Sequence, residues 1–283
     1  MNLVASSLRL TTALGGKQIV SRALPRLPET WTGFETVVEY RGLRFHVHTA
    51  EETGRRMYYY NEYEPAQENV FLELVQPHSL VLDMGANMGL FSLLSASRGA
   101  YVVSFEPSRL LVARFSENIA LNRLSNVLLV TEAVSDSQGT ISFYETRVGN
   151  CGVGRVFAFG HNERAAPSYS VRTNTVDSYV ARFGMPALIK MDIEGAEWLA
   201  LKGASETFKR PDAPYLLIEF HPQEIQSLGG SLDSCLALLD SYGLRRYRLV
   251  KAKSGNHHWF VFSQKELRSS QLVLDSGCST AVK

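Results

Sequence analysis

The sequence has few cysteines, no long apolar run and no surplus of either charge. Its 283 residues include only Cys151, Cys235 and Cys278. These are far apart and form no C-x-x-C pair. A disulfide framework and a cysteine zinc cluster are therefore excluded, which leaves free thiols in a reducing, cytoplasmic compartment. No stretch of about 18 uninterrupted apolar residues occurs, so no transmembrane segment is expected. Formal net charge is +1, from 29 basic and 28 acidic residues, with no long Lys/Arg run. Nothing predicts broad electrostatic binding, and no nucleic-acid partner is expected. One local imbalance stands out. Met1–Pro28 holds Arg9, Lys17, Arg22 and Arg26 and no acid. It lacks the compact apolar core of a secretory signal. It reads as a basic amphipathic or unordered lead-in, in preference to an organelle transit peptide.

Hydrophobic residues make up 45 % of the chain and charged residues 20 %, a balance that suits one large α/β domain with a small appendage. Alternation of Glu35–Thr49 about Arg41-Gly42 predicts an antiparallel hairpin. A helix is expected from Pro65, ended by Pro77. From Ser79 onward strands and helices alternate. Strands are expected at 79–84, 101–106, 126–131, 187–192 and 215–220. Helices are expected at 88–98, 108–122, 175–183, from 197 and at 231–242. This order implies a mainly parallel sheet covered on both faces. Thr140–Glu145 and Ser168–Arg172 break the rhythm as a β pair. Between them, Arg147–Pro167 reads as a mobile substrate loop or as a plain surface excursion. Strands at 244–251 and 257–262, joined by Lys253–Asn256, close the core as a hairpin, unlike the six-parallel-strand dinucleotide fold. The expected organisation is a cap over 1–76, a core domain over 77–265 and a weakly ordered tail over 266–283.

The segment Ser79–Arg98, SLVLDMGANMGLFSLLSASR, has the form of a buried strand, a tight glycine turn and a helix. Such a turn lets a nucleoside-bearing ligand approach the backbone. Glu106 stands 21 residues after Gly85, at the end of the next strand, where a carboxylate accepts both ribose hydroxyls. That acid suits an NAD site and an S-adenosylmethionine site equally. The glycines discriminate better. Asn87 takes the place of the second glycine of the NAD fingerprint, which makes room for pyrophosphate. S-adenosylmethionine has no pyrophosphate. Asp83 could face its ammonium, and loop N–H groups its carboxylate. Gly85, Asn87 and Gly89 join this cofactor set, as does Asp192 at the end of the fourth strand, although Asn87 also suits a helix N-cap. Glu132-Ala133, just past the third strand, falls where adenine would be held.

A second group of residues carries the chemistry. Asp192, Glu194 and Glu197 crowd the end of the fourth strand, and Glu219-Phe220-His221 ends the fifth. Both ends fall on the ligand edge of a doubly wound sheet. An acceptor hydroxyl must lose its proton as it attacks an activated methyl group. His221 is the first candidate for base and Asp192 the second, with Glu194 beside them. Alternatively, Asp192, Glu219 and His221 bind a divalent metal. The plainer readings are a helix N-terminus charged by Glu194 and Glu197, with Lys190 paired to one of them, and a turn histidine before Pro222. His46, His48, His257 and His258 read as surface or core residues. Tyr58–Tyr60 reads as packing rather than as a lid.

The segments VLDMGANMGLFSLLSA, SFEPS, ENIALNRLSNVLLVTEAVSDSQGTISFYE, LIKMDIEGAEWLALKGA and YLLIEFH resemble the FkbM family of S-adenosylmethionine-dependent methyltransferases. The likeness runs from about Glu64 to His221, and DIEGAE together with AVSD is its most specific part. It implies a class I, Rossmann-like α/β fold with helices on both faces. Its seven-stranded, mostly parallel sheet would have one antiparallel strand, from a C-terminal hairpin. It implies S-adenosylmethionine as cofactor, and O-methylation of a sugar, a lipid-linked glycan or a secondary metabolite. It carries cofactor roles onto Asp83, Gly85, Asn87, Gly89 and Glu106, and Asn118 and Asn122 match its helix pattern. Met84 and Met88 replace the usual branched aliphatics. The alternatives are an NAD-dependent oxidoreductase and a methyltransferase-like binding module without catalysis.

Overall fold

The computed structural model describes residues 3–27, 29–145, 154–155, 168–250 and 258–275. The chain opens with helices α1 (Leu3–Ala13), α2 (Lys17–Ala23) and the short α3 (Glu29–Thr32). The expected hairpin follows as β1 (Glu35–Tyr40) and β2 (Leu43–His48), paired antiparallel. Its turn residues Arg41 and Gly42 both have positive φ, 50° and 79°, as a two-residue hairpin turn requires. Helices α4 (Glu52–Tyr60) and α5 (Pro65–Leu74) lead to the core. Tyr58 and Tyr59 are buried in α4, which agrees with packing.

The core alternates β3 (Leu80–Met84), α6 (Leu90–Ser97), β4 (Tyr101–Phe105), α7 (Arg109–Asn122) and β5 (Val127–Val130). A small sheet interrupts it, made of β6 (Ala133–Val134), β7 (Gly139–Glu145), β8 (Gly154–Arg155) and β9 (Ser168–Asn174) in the order β6-β9-β7-β8. Then come α8 (Val176–Phe183), β10 (Leu188–Met191), α9 (Glu197–Lys202), α10 (Ser205–Phe208), β11 (Tyr215–Phe220), α11 (Pro222–Ser227) and α12 (Leu232–Ser241). Strands β12 (Arg245–Leu249), β13 (His258–Ser263) and β14 (Leu272–Leu274) finish the chain.

The main sheet runs β14-β12-β13-β11-β10-β3-β4-β5. The five strands from β11 to β5 are parallel, and β13 runs antiparallel to β11. The sheet therefore has eight strands, not seven. The eighth is β14, drawn from the stretch expected to be a weakly ordered tail. Leu272–Leu274 covers the open edge of β12, and an uncovered edge of this kind recruits any available strand. Adjacent residues of the inner strands alternate between two cores. Val81, Leu188 and Leu217 join the cluster shared with the cap and α6. Leu82, Ile189 and Leu216 face α8, α9 and α12. Burial on both faces is why these strands read as continuous apolar runs.

Of Arg147–Pro167, only Gly154–Arg155 lies among the described residues, paired with Tyr144 and Glu145. The turn Lys253–Asn256, His257, Cys151 and Cys278 lie outside them. Cys235 is a buried free thiol.

Two asparagines of α7 dock the hairpin onto the core. Asn118 accepts the His46 N–H at 2.6 Å and donates to the Met88 carbonyl at 3.0 Å. Asn122 accepts the Arg44 N–H at 2.8 Å and donates to the Arg44 carbonyl at 2.6 Å. Their amides satisfy the edge of β2 that β1 leaves open. Asn118 is fully buried and joins the cap to the glycine loop. Replacing it with Ala strands one buried donor and one acceptor. Urea unfolding of Asn118→Ala is expected to show a loss of about 2–3 kcal/mol with an unchanged m-value.

Candidate functional site

A cleft with about 580 Å³ of empty space, part of it open to solvent, lies beyond the carboxyl ends of β3, β4 and β10. Gly85, Asn87 and Glu106 line one wall, Glu132, Ala133 and Phe143 a second, and Asp192 and Glu194 a third. The sequence-derived cofactor and acid candidates thus converge, with exceptions.

The glycines serve the backbone's own packing. A Cβ on Gly85 would lie 1.7 Å from the Asp192 carbonyl oxygen, and one on Gly89 would lie 2.2 Å from the Phe115 ring. Gly89 therefore packs beneath α7 and is not part of the cleft wall. The loop N–H groups are also taken. Gly85 and Ala86 donate to the Phe105 carbonyl, Asn87 to Glu106, Met88 to the Asn87 side chain and Gly89 to Ala86. They are not free to receive a ligand carboxylate, contrary to expectation. Gly89, not Asn87, stands at the N-cap of α6.

Asp83 is also placed otherwise than expected. It is fully buried, accepts from the Ser92 hydroxyl at 2.5 Å, and faces the ammonium of Lys190 at 3.6 Å. Lys190 donates to the Gly85 carbonyl at 2.8 Å and lies 3.5 Å from Asp192. Its partners are Asp83 and Asp192, not Glu194 or Glu197. Burial opposes its charge, but Asp192, Asp83, Glu219 and Glu64 raise its pKa on balance.

Glu106 is buried beyond β4, and each of its oxygens accepts one backbone N–H, from Asn87 at 2.8 Å and Ser108 at 2.9 Å. Burial pushes its pKa up to about 7 against the pull of those two bonds. Both oxygens keep a lone pair for hydroxyls. Glu132 accepts from the Tyr179 hydroxyl at 3.0 Å and pairs with Arg172 at 3.2 Å. Its carboxylate is thus held from behind.

Glu197 organises the end of β10. It is fully buried and accepts from Ile193 N–H at 3.2 Å, Gly195 N–H at 3.1 Å and His221 Nδ1 at 3.0 Å. The other ring nitrogen of His221 lies 3.8 Å from Asp192 and 3.7 Å from Glu194. Burial works against an imidazolium there, but the Glu197 hydrogen bond and the charges of Glu197, Asp192 and Glu194 win and raise its pKa to about 10. That direction favours the imidazolium, and the ring lies behind the cleft wall. A ring held in this way by Glu197 suits a positioning role better than the expected role of general base.

The metal alternative meets an obstacle of charge. Asp192, Glu219 and His221 offer ligand atoms within 4.8 Å of one another. However, the Lys190 ammonium lies 3.5 Å from Asp192, where it competes with a divalent ion.

Sequence reasoning missed two residues on the other side of this group. Glu64, at the N-cap of α5, is half-buried. Burial first, then Glu219 and Asp192, hold its pKa well above the carboxylate range. Tyr63 is raised by burial first and then by Glu64. The Tyr-Glu-Pro sequence at a helix start was the one local signal. His46 pairs with Glu35 and Glu117 at the surface, and His48 accepts from Ala50 N–H.

A model of the FkbM methyltransferase domain matches residues 83–246. The chain belongs to the FkbM methyltransferase family. It is 25 % identical over 191 residues to the hexuronic acid methyltransferase AglP of Haloferax volcanii, covering 65 % of this chain and 74 % of AglP. It is 44 % identical over 62 residues to the 23S rRNA (uracil(1939)-C(5))-methyltransferase RlmD of Klebsiella pneumoniae, covering 22 % of this chain and 14 % of RlmD. With an rRNA enzyme among the relatives, the comparisons do not support excluding a nucleic-acid acceptor. Among solved structures, M. jannaschii TYW2 in complex with AdoMet aligns at 13 % identity and a TM-score of 0.43, covering 81 % of this chain and 84 % of that one.

Glu106 and His221 each give a pH prediction. In the expected role of ribose ligand, Glu106 would bind hydroxyls best when ionised, so affinity for S-adenosylhomocysteine is expected to rise with pH through about 7. Calorimetry should show a fall of up to about tenfold from pH 8 to pH 6 in the wild type, and a flat profile in Glu106→Ala. For His221 the folded state keeps a proton that the unfolded state releases above about 6.5. Its contribution to stability is full below that value and is lost as pH rises towards about 10. Stability should therefore decline over this window more steeply in the wild type than in His221→Gln, and the wild-type ring should give an imidazolium NMR signature at about pH 8.

Proposed function

We propose that this chain is a cytoplasmic S-adenosylmethionine-dependent O-methyltransferase that acts on a hydroxyl of a sugar or glycan. The observation that carries this reading is the charge of the cleft. Among the described residues, Glu106, Glu132, Asp192 and Glu194 line it, and no Lys or Arg does. A sulfonium cation suits such a wall. The pyrophosphate of NAD would face these carboxylates, with the cations Lys190 and Arg172 already paired to Asp83, Asp192 and Glu132. Membership of the FkbM family supports methyl transfer, and AglP, named for a hexuronic acid, supports a sugar.

Bound S-adenosylmethionine supplies an already activated methyl group. The residues of this chain do the rest. Glu106 would accept the two ribose hydroxyls. Ala133 and Phe143 would flank the adenine, with Glu132 beside them. Asp192, partly exposed on the cleft wall, would take the proton from the acceptor hydroxyl, and Glu194 is the second choice for that role. His221 would keep both carboxylates aimed. In the proposed organisation, the cap over 1–76 lends Tyr63 and Glu64 to the acceptor side of the core domain over 77–265, and 266–283 forms the tail. With so many carboxylates nearby, an uncharged sugar fits better than a sugar acid.

A panel of neutral glycosides and glucuronides, assayed with labelled S-adenosylmethionine, tests this reading. Transfer to a neutral glycoside hydroxyl is expected, without loss in EDTA. Asp192→Asn should lower turnover by about 100-fold or more while leaving S-adenosylhomocysteine affinity within a few-fold. Tight binding of NAD without binding of S-adenosylhomocysteine would overturn the cofactor assignment.

A further inference from the structure

The four most exposed large hydrophobic side chains among the described residues are Leu14, Leu3, Ile19 and Leu10, at 79 %, 76 %, 66 % and 61 % exposure. Scattered exposed leucines are ordinary, but a concentration is not. All four belong to α1, α2 and the turn between them. Leu3, Leu10 and Leu14 are seven and four residues apart, so they share one helical stripe. The opposite side of α1 and α2 is already occupied. Ala5, Val20 and Leu24 are buried in the core cluster, with Leu8 packed against it. The exposed stripe is therefore not an unpacked inner face. It is a second apolar face turned outward on helices that are anchored to the body.

The surrounding charge is one-sided. Leu3–Leu27 contains Arg9, Lys17, Arg22 and Arg26 and no acid. Arg9 stacks on Tyr58, 4.8 Å from its ring centroid, and Lys17 pairs with Glu62, and both contacts fasten this segment to α4 and its flank. Arg22 and Arg26 remain at the surface. An apolar stripe beside basic residues on a helix too short to cross a bilayer is the pattern of an interfacial helix. No described helix is long and apolar enough to span a membrane. We propose that α1 and α2 dock the protein onto the surface of an anionic lipid bilayer, with Leu3, Leu10, Leu14 and Ile19 entering the headgroup region and Arg22 and Arg26 facing lipid phosphates. This surface is independent of the acceptor assigned above.

Co-sedimentation of the full chain with vesicles tests it. The wild type should bind vesicles of phosphatidylcholine mixed with phosphatidylglycerol and release them in high salt, and should bind pure phosphatidylcholine much more weakly. Leu10→Glu with Leu14→Glu should reduce binding by about tenfold or more. Arg22→Gln with Arg26→Gln, at exposed positions where folding is not at stake, should reduce binding to the mixed vesicles by about tenfold or more while leaving the weak binding to the neutral ones unchanged. Unchanged affinity for S-adenosylhomocysteine in both variants would show that the body is intact. Failure to bind the mixed vesicles, equal binding to both kinds, or undiminished binding in the leucine variant would overturn the proposal. So would a dimer in solution that Leu10→Glu with Leu14→Glu dissolves, since the stripe would then belong to a second copy of the chain.

Discussion

A lysine ammonium buried where strand ends meet is the interaction on which the site depends. Lys190 reaches from β10 to the Gly85 carbonyl, to Asp83 on β3 and to Asp192 at its own strand end. Asp83 is in turn held by Ser92 of α6, whose hydroxyl also meets Ser104 of β4 at 2.7 Å. One cation thus ties two strands, the glycine loop and a helix into a fixed arrangement. Removing one partner of such a buried set leaves an uncompensated charge and typically costs about 3–5 kcal/mol. The loop is shaped from behind, by protein charge. This explains why its own N–H groups are satisfied before any ligand arrives, and why Asp83 lies beneath the cleft and not on its wall.

The turn after β10 follows the same logic. Glu194 and Gly195 both take left-handed φ, 53° and 104°. That conformation disfavours a non-glycine residue by about 1 kcal/mol or more. The position of Gly195 is fixed by packing, since a Cβ there would meet the Glu224 side chain at 2.2 Å. Glu197 offsets the strain by accepting two N–H groups of the turn together with His221. The strained turn then presents Asp192 and Glu194 to the cleft, with little motion left to them. Ordering the acids in advance means that the entropy of aiming them is not lost during the reaction.

These two arrangements also mark what could be read from the chain and what could not. Strands β3, β4, β10 and β11 were legible because double burial writes them as apolar runs of the right length. That Glu106, Asp192 and Glu194 come to one cleft was legible because the strand ends share one edge in this topology. The protonation state of His221 was not legible, because it is set by Glu197, which is distant in sequence and reaches it only through the fold. Lys190 was misassigned for a related reason. Its neighbours in sequence are Asp192 and Glu194, yet Asp83 and Gly85 come to it across a parallel ladder. Gly89 looked like a ligand contact because spacing alone cannot distinguish room for a cofactor from room for the Phe115 ring. β14 was hidden because a three-residue edge strand has too little pattern to show. Helices α1 and α2 were read only as a basic lead-in, since their inward face is small and their outward face is apolar.

The pieces added to the sheet grip the cleft from two sides. The small sheet reaches the Glu106 loop through Glu145, which accepts from the Ser108 hydroxyl at 2.8 Å and from Leu110 N–H at 3.3 Å. Ser108 is also a donor to Glu106, so the Glu106 wall of the cleft and the inserted sheet share a residue. The cap is fixed by a different device. The Tyr40 hydroxyl sits 2.8 and 2.9 Å from the two oxygens of buried Glu68, beside Arg41, and accepts the Tyr63 N–H at 3.1 Å. Burial and then Glu68 push that phenol up to about 12, so it stays a donor at any physiological pH. The backbone that carries Tyr63 and Glu64 is therefore locked before an acceptor binds.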